Sequence, residues 1–418
     1  MMKSRSLSDD NNSRKWVLFG TCFLANVMAG QISTLMSVYL PDVMTTFFSG
    51  NHQEDVHHVG AYINSLYLLG WAIGGFSWGV LSDRIGRPSA LASSLACLGL
   101  FTLLIRFSSG WEELVIFRLL AGFGTGGVLV ITVTYLSEVW PLKSRSIVIG
   151  IVSVGFPVGI FSSGLVNLFS GWRDGFLVGV LPLVLAATAV LWLRESVLWK
   201  DSSTASAQGV RRQLIFENKE ELIHGTLIFG FMLIGLWAVF SWFPTWIQSL
   251  LMHSNGQEER GITMMLLGIG GVTGGILSGG ISNLLGIRKA MVLCFSGCGL
   301  LAILLFGFNT SFSAVIYLET ALLSLFFGIS QGLLSIYIPQ LFPSPIRAGA
   351  TGFCFNLGRV LTALAVYSLG TWVNLLGGYG NALLVFSSVF GAGLVVLLIT
   401  KRREDPVHPV GANATAYK

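Results

Sequence analysis

Polar positions along this 418-residue chain are so sparse that it reads as twelve apolar stretches parted by short polar breaks, at roughly 16–40, 60–82, 89–108, 111–137, 145–169, 173–195, 222–250, 261–285, 289–308, 312–339, 347–373 and 378–400. Crossing a hydrocarbon layer of ~30 Å takes about 20 residues of helix at ~1.5 Å each, and every stretch is near or above that length. Lipid offers a bare backbone no hydrogen bonds, so runs of this kind are helices. The pattern predicts an all-α polytopic membrane protein with twelve transmembrane helices. The first stretch is too long for a cleavable leader, and eleven more follow it.

Composition agrees: 53% of residues are hydrophobic and 11% charged, against about 25% charged in soluble domains. The charges that remain are lopsided. Lys3, Arg5, Arg14, Lys15, the pairs Arg84/Arg87, Lys143/Arg145 and Arg288/Lys289, Arg347, and the basic residues of the central segment and tail lie on one side. Only Arg106, Arg173 and Arg260 lie on the other, while Arg118 and Arg359 fall inside spans. The positive-inside rule then predicts both termini in the cytoplasm of a multi-pass protein of the cell (inner) membrane. The net charge of +5 follows from that bias and does not point to nucleic acid. All five cysteines (Cys22, Cys97, Cys294, Cys298, Cys354) lie in predicted helices, which predicts packing and no disulfides.

The longest polar connection, 196–221, is rich in Ser and charge. It divides the chain into a tail (1–15), a six-helix half (16–195), a linker (196–221), a second six-helix half (222–400) and a second tail (401–418). The halves echo each other. Tyr135, Glu138, Pro141 and Arg145 return 202 residues later as Tyr337, Gln340, Pro343 and Arg347, and Gly79–Asp83–Arg84–Gly86–Arg87 returns more faintly as Gly279–Asn283–Gly286–Arg288. The predicted fold is therefore two pseudo-symmetric six-helix bundles. Parallel repeats of this sort suit carriers that rock one half against the other around a central site. Dense glycine within the spans, such as Gly122/Gly124/Gly126/Gly127, lets helices approach and slide.

Several of these segments carry a family likeness. Gly79-Val-Leu-Ser-Asp83-Arg84-Ile-Gly86-Arg87 resembles the major facilitator superfamily signature between helices two and three. Arg118-Leu-Leu-Ala-Gly122-Phe-Gly124-Thr-Gly126 is similar to the pattern of its fourth helix. Tyr135-Leu-Ser-Glu138-Val-Trp-Pro141-Leu-Lys-Ser-Arg145, Gly171-Trp172-Arg173, Arg194-Glu195-Ser196 and Leu341-Phe-Pro343 through Asn356, Gly358 and Arg359 resemble its sugar-porter and metabolite:proton symporter branches. The resemblance covers essentially 16–400 and implies that fold, alternating access and a working monomer. One departure stands out: many proton-coupled relatives carry Asp in the middle of the first span, and this chain reads Asn26-Val-Met-Ala-Gly-Gln31 there.

The polar residues inside or beside the spans are the candidates for chemistry. Arg359 lies twelve residues past Arg347, ~18 Å along a helix and near mid-membrane. An unpaired Arg at that depth costs at least ~2.5 kcal/mol, so it should face a wet cavity or a carboxylate. A guanidinium clamps a carboxylate bidentately; the competing reading is an internal ion pair, for instance with Glu319. Arg118, Asn356, Gln331, Tyr337, Trp242, Gln31 and Asn26 are expected to complete a substrate site, with Tyr67, Trp237 and Trp246 among its aromatics. Trp237 through Pro244 suggests a broken seventh helix, since Pro244 removes a backbone donor. Glu319 reads as the one carboxylate well inside a span and the first candidate for proton coupling, with Asp42 second. Asp83, Arg84, Arg87, Glu138, Arg145 and Glu195 are expected to form a latch that closes the cytoplasmic face and breaks when it opens. The run His52–His58 is expected to be a solvated loop.

No phosphate loop, catalytic triad or zinc spacing is present in the sequence, which argues against an enzyme or ATP-driven pump, and no cofactor is expected. The reading is a secondary transporter importing a small organic anion, a carboxylate or sugar acid, with protons as the other partner and lipid as its surroundings. Proton-driven efflux of drugs or metabolites is one alternative. A transporter-like receptor is another, disfavoured by short ends of about 15 and 18 residues.

Overall fold

The computed structural model describes residues 2–48, 53–196, 217–251, 255–343 and 346–400. Most of the expected linker, and the tail 401–418, lie outside these.

Twelve helices are long and apolar enough to span a membrane. They are α1 (Met2–Phe47), α2 (Gln53–Ile85), α3 (Arg87–Ile105), α4 (Trp111–Val139), α5 (Leu142–Phe169), α6 (Trp172–Trp192), α7 (Lys219–Leu250), α8 (Gln257–Leu285), α9 (Ile287–Phe308), α10 (Val315–Gln340), α11 (Arg347–Leu376) and α12 (Tyr379–Ile399). Several run further than hydropathy predicts, because helix continues beyond the apolar stretch until a residue that breaks it. Gly86 and Gly286 end α2 and α8 at φ +90° and +76°, a conformation only glycine adopts without cost. α1 likewise extends back through the expected tail, and α2 absorbs His57 and His58, which were expected in a loop. α7 passes through Pro244 without a break, correcting the expected discontinuity. Within a bundle, one lost backbone bond is absorbed by neighbouring groups.

The repeat is visible atom by atom. Gly86 N–H donates to Ser82 O and Gly286 N–H to Ser282 O; Ala90 and Ala290 then donate back to Gly86 O and Gly286 O. Arg145 Nε donates to Trp140 O and Arg347 Nε to Phe342 O, five residues back in each case.

Glycine sets how closely helices cross. Along α2 and α4, a methyl group at Gly70, Gly74, Gly122 or Gly126 would collide with the backbone carbonyl of Leu119, Phe123, Tyr67 or Trp71 respectively. In the second half, Gly274 and Gly328 make the equivalent approach between α8 and α10. Such contacts replace a hydrophobic driving force, which lipid cannot supply between helices.

The two halves meet along α2 with α11 and α5 with α8. That seam is uneven. At the end away from the basic loops (the far face), Gly164 abuts Gly261, and Gly370 abuts His57 and Ala61. At the basic end, Gly150 on α5, Gly279 and Gly280 on α8, and Gly349 and Gly352 on α11 have open space where a side chain would stand. The close glycine contacts between the halves therefore gather toward the far face and the middle of the spans.

Candidate substrate site

Arg359 projects from the middle of α11 and is partly exposed. Its Nη1 donates to Asn356 Oδ1 at 3.2 Å, and Asn356 Nδ2 donates to Gly352 O at 3.0 Å. Asn356 is one turn away on the same face, so helical spacing alone brings the two together. The guanidinium lies 5.2 Å from the Trp71 ring and 6.0 Å from the Phe229 ring, hence between α2 of one half and α7 of the other. Gly75 on α2 leaves room for this arrangement, since a Cβ there would come within 2.5 Å of Asn356 Oδ1.

Trp71 anchors an aromatic cluster drawn from both halves. It meets Trp237 edge-on at 5.5 Å and Phe156 at 5.7 Å, and Trp237 continues to Phe240. Four residues earlier on α2, Tyr67 packs 6.3 Å from Trp71 and carries Arg118 stacked on its ring at 3.8 Å. The Tyr67 hydroxyl is held by Ser33 and Thr125, each at 2.7 Å. Arg118 is 1% exposed and donates Nη1 to Ile32 O at 3.1 Å, while its buried Nε has no partner. The order is Arg118, Tyr67, Trp71, Arg359. Among the described residues neither arginine is paired with a carboxylate, so the ion pair between Arg359 and Glu319 considered above does not form.

Glu319 is placed differently from expectation. α10 begins at Val315, because the polar stretch before it stays out of the helix, and Glu319 therefore sits in the first turns, accepting from Asn309 at 2.7 Å. It is not deep in the span. Asp42 does lie at the far end of α1, where its two oxygens accept from Arg260 Nη2 at 2.8 and 2.9 Å.

The remaining candidates scatter. Asn26 binds Cys22 O and Thr132 within the first half, and Gln31 is buried where α1 crosses α5. Tyr337 bonds His224 at 2.8 Å between α10 and α7. Trp242 is buried in the far-face seam against Gly60 and Tyr379, away from Arg359. Gln331 has a buried amide nitrogen with no partner, a donor left available on α10.

Of the six residues expected as a latch, Asp83, Glu138 and Glu195 gather on Arg87. It donates to Asp83 at 2.7 Å and to Glu138 at 2.8 and 3.1 Å, and its backbone N–H donates to Glu195 at 3.0 Å. These bonds run inside the first half. Arg145 turns to the Trp140 carbonyl instead of a carboxylate, and Arg84 is exposed.

Sequence reasoning missed Trp71, Phe229 and the partner of Asp42. Trp71 was discoverable, standing one helical turn from Tyr67; the Asp42–Arg260 pair, 218 residues apart, left no local signal. A 330 Å³ hollow lined by Leu168, Phe169, Gln257, Glu258 and Ile262 lies at the far edge of the seam, remote from both arginines.

The chain is 26% identical over 412 residues to the cis,cis-muconate transport protein of Acinetobacter baylyi, covering 94% of this chain and 97% of that one. It is 27% identical over 414 residues to the 3-(3-hydroxy-phenyl)propionate transporter of Escherichia coli, covering 96% and 98%. A gallate transporter of Pseudomonas putida is 26% identical, covering 87% and 88%. Among solved structures, a D-xylose-proton symporter superposes with a TM-score of 0.78 at 17% identity, covering 91% of this chain and 97% of that one. The inward open xylose transporter XylE from E. coli superposes at 0.76 with 15% identity, covering 94% and 98%. The sequence model of the Major Facilitator Superfamily matches residues 21–365, and the chain belongs to that family.

Proposed function

We propose that this protein is a carrier that imports a small organic acid by alternating access, driven by the proton gradient, with Arg359 receiving the carboxylate. The observation that carries this is the isolated cation. A mid-span guanidinium between the two halves, backed by aromatic rings and lacking a protein carboxylate, is stabilised once an anion arrives. Rings around the cation offer flat faces, which suit a planar or unsaturated acid better than a hydroxyl-rich sugar acid. The named relatives move muconate, hydroxyphenylpropionate and gallate, which supports the same class here.

The basic face is read as cytoplasmic by the positive-inside rule, and with the close contacts between the halves gathered toward the far face this conformation is read as inward-facing. Arg118 shares the aromatic ladder but is sealed by Tyr67 in this state, so Arg359 makes first contact. Proton-driven uptake is part of the proposal. Among the described residues no carboxylate pairs with Arg359 or Arg118, and the proton role is assigned to carboxylates at the ends of the spans, Asp42 foremost.

The test is uptake of radiolabelled aromatic and dicarboxylic acids into proteoliposomes under an imposed pH gradient. Selective, gradient-dependent uptake that Arg359→Ala abolishes is the expected result. Uptake of no acid, or an Arg359→Ala variant with unchanged uptake, sinks the reading. Ligand-dependent stabilisation of the purified protein gives a parallel readout of binding alone.

A further inference from the structure

An ion pair that takes no part in the aromatic site crosses the far-face seam. Asp42 and Arg260 form an ion pair from α1 of the first half to α8 of the second, with both carboxylate oxygens engaged. Arg260 is wholly buried; its side chain is 1% exposed against 28% for Asp42. Its Nη1 donates to Gln248 of α7 at 2.6 Å, and its Nε is buried without a partner. The surrounding charged and titratable groups are few. Tyr39 on α1 and Asp174 on α6 share the pair's electrostatic neighbourhood; Asp174 is itself paired with Arg106, and Tyr39 hydrogen-bonds Ser170 at 2.8 Å. Glu258 and Glu259 precede Arg260 on its own helix. Elsewhere in the seam, Gln257 donates to Asn167 O at 2.5 Å and His57 bonds Tyr379 at 2.6 Å.

We infer that Asp42 and Arg260 form a proton-released latch on the outer face, through which external acidity biases the carrier toward its outward-open state. The orientation rests on the positive-inside reading given above; the latch does not depend on what the carrier transports. With Asp42 ionised, the pair holds α1 and α8 together, and the buried guanidinium is compensated. A proton on Asp42 removes that compensation and leaves Arg260 buried against neutral groups, an unfavourable state unless the seam parts and admits water. A carboxylate that has lost its cation binds a proton more tightly than a paired one. The proton therefore favours the open state, and its differential affinity is what shifts the population.

The experiment is a distance measurement on the full-length protein in nanodiscs, without substrate. Spin labels go on Ser109→Cys and Ser311→Cys, exposed positions outside α3 and α10. In neutral buffer the wild type gives mainly the short, outer-closed distance, and acidification through the ordinary carboxylate range adds a longer one. Asp42→Asn raises the long-distance population at least about tenfold at neutral pH, discounted for partial exposure, and removes the pH response; Arg260→Gln does likewise. Because Arg260→Gln changes a buried site and can fail to fold, the exchanged pair Asp42→Arg with Arg260→Asp serves as rescue, restoring the short distance at neutral pH. The inference is overturned by an Asp42→Asn protein that keeps the wild-type distances and pH response. It is overturned equally if the response survives in Asp42→Asn but vanishes in His57→Gln.

Discussion

Replacing Asn356 with Asp would place a carboxylate within reach of Arg359 at almost unchanged volume. The guanidinium now donates to a neutral amide oxygen at 3.2 Å. The donor is already charged, so exchanging the acceptor for a carboxylate turns a charge-assisted hydrogen bond into an ion pair, which at this partly exposed site adds about 1–2 kcal/mol. The resulting internal ion pair competes with any incoming anion for the same cation. An affinity loss of about 1–2 kcal/mol corresponds to roughly 5- to 30-fold in Kd. Asn356 also donates to Gly352 O at 3.0 Å, and losing that bond costs about 1 kcal/mol of stability, which the folded protein should tolerate. The assay is half-saturation for the best transported acid, compared among wild type, Asn356→Asp and Asn356→Ala. The alanine variant only releases the orientation of Arg359 and should lose a few-fold; the aspartate should lose distinctly more. Equal half-saturation in aspartate variant and wild type would refute the argument that this guanidinium is the anion's partner.

Two further outcomes follow from the geometry. Gly74→Leu drives a branched side chain into the Phe123 carbonyl on α4; overpacking of this kind costs about 1–3 kcal/mol or more, and the melting temperature in detergent should drop by several degrees, whereas Gly391→Leu, which has open space, should leave it nearly unchanged. Glu319→Gln keeps the Asn309 contact at the mouth of α10 and should leave the pH dependence of uptake as in wild type; a flattened pH profile would make Glu319, in place of Asp42, the coupling carboxylate.

What could be read in the chain, and what could not, divides along the range of the interactions involved. The twelve helices, their two-fold repetition and the depth of Arg359 follow from local hydropathy and from a fixed rise per residue. These need no knowledge of neighbours. Helix ends were less legible: Glu319 looked buried because Phe312 and Val315 are apolar, yet the helix starts only after the Asn309–Ala314 stretch. Arg145 looked like a partner for nearby carboxylates, but its own chain offered the Trp140 carbonyl at five residues' distance, and Arg87 took Glu138 instead.

The sequence by itself determined that these residues form a membrane-spanning helical bundle in two related halves, since the solvent demands it of any chain this apolar. Only the tertiary structure decided which polar groups meet. Asp42 with Arg260, Arg118 on Tyr67, and Arg359 between Trp71 and Phe229 each join helices whose contact depends on glycine-governed crossings. Hydropathy says that a buried charge must be compensated, and only packing selects the partner.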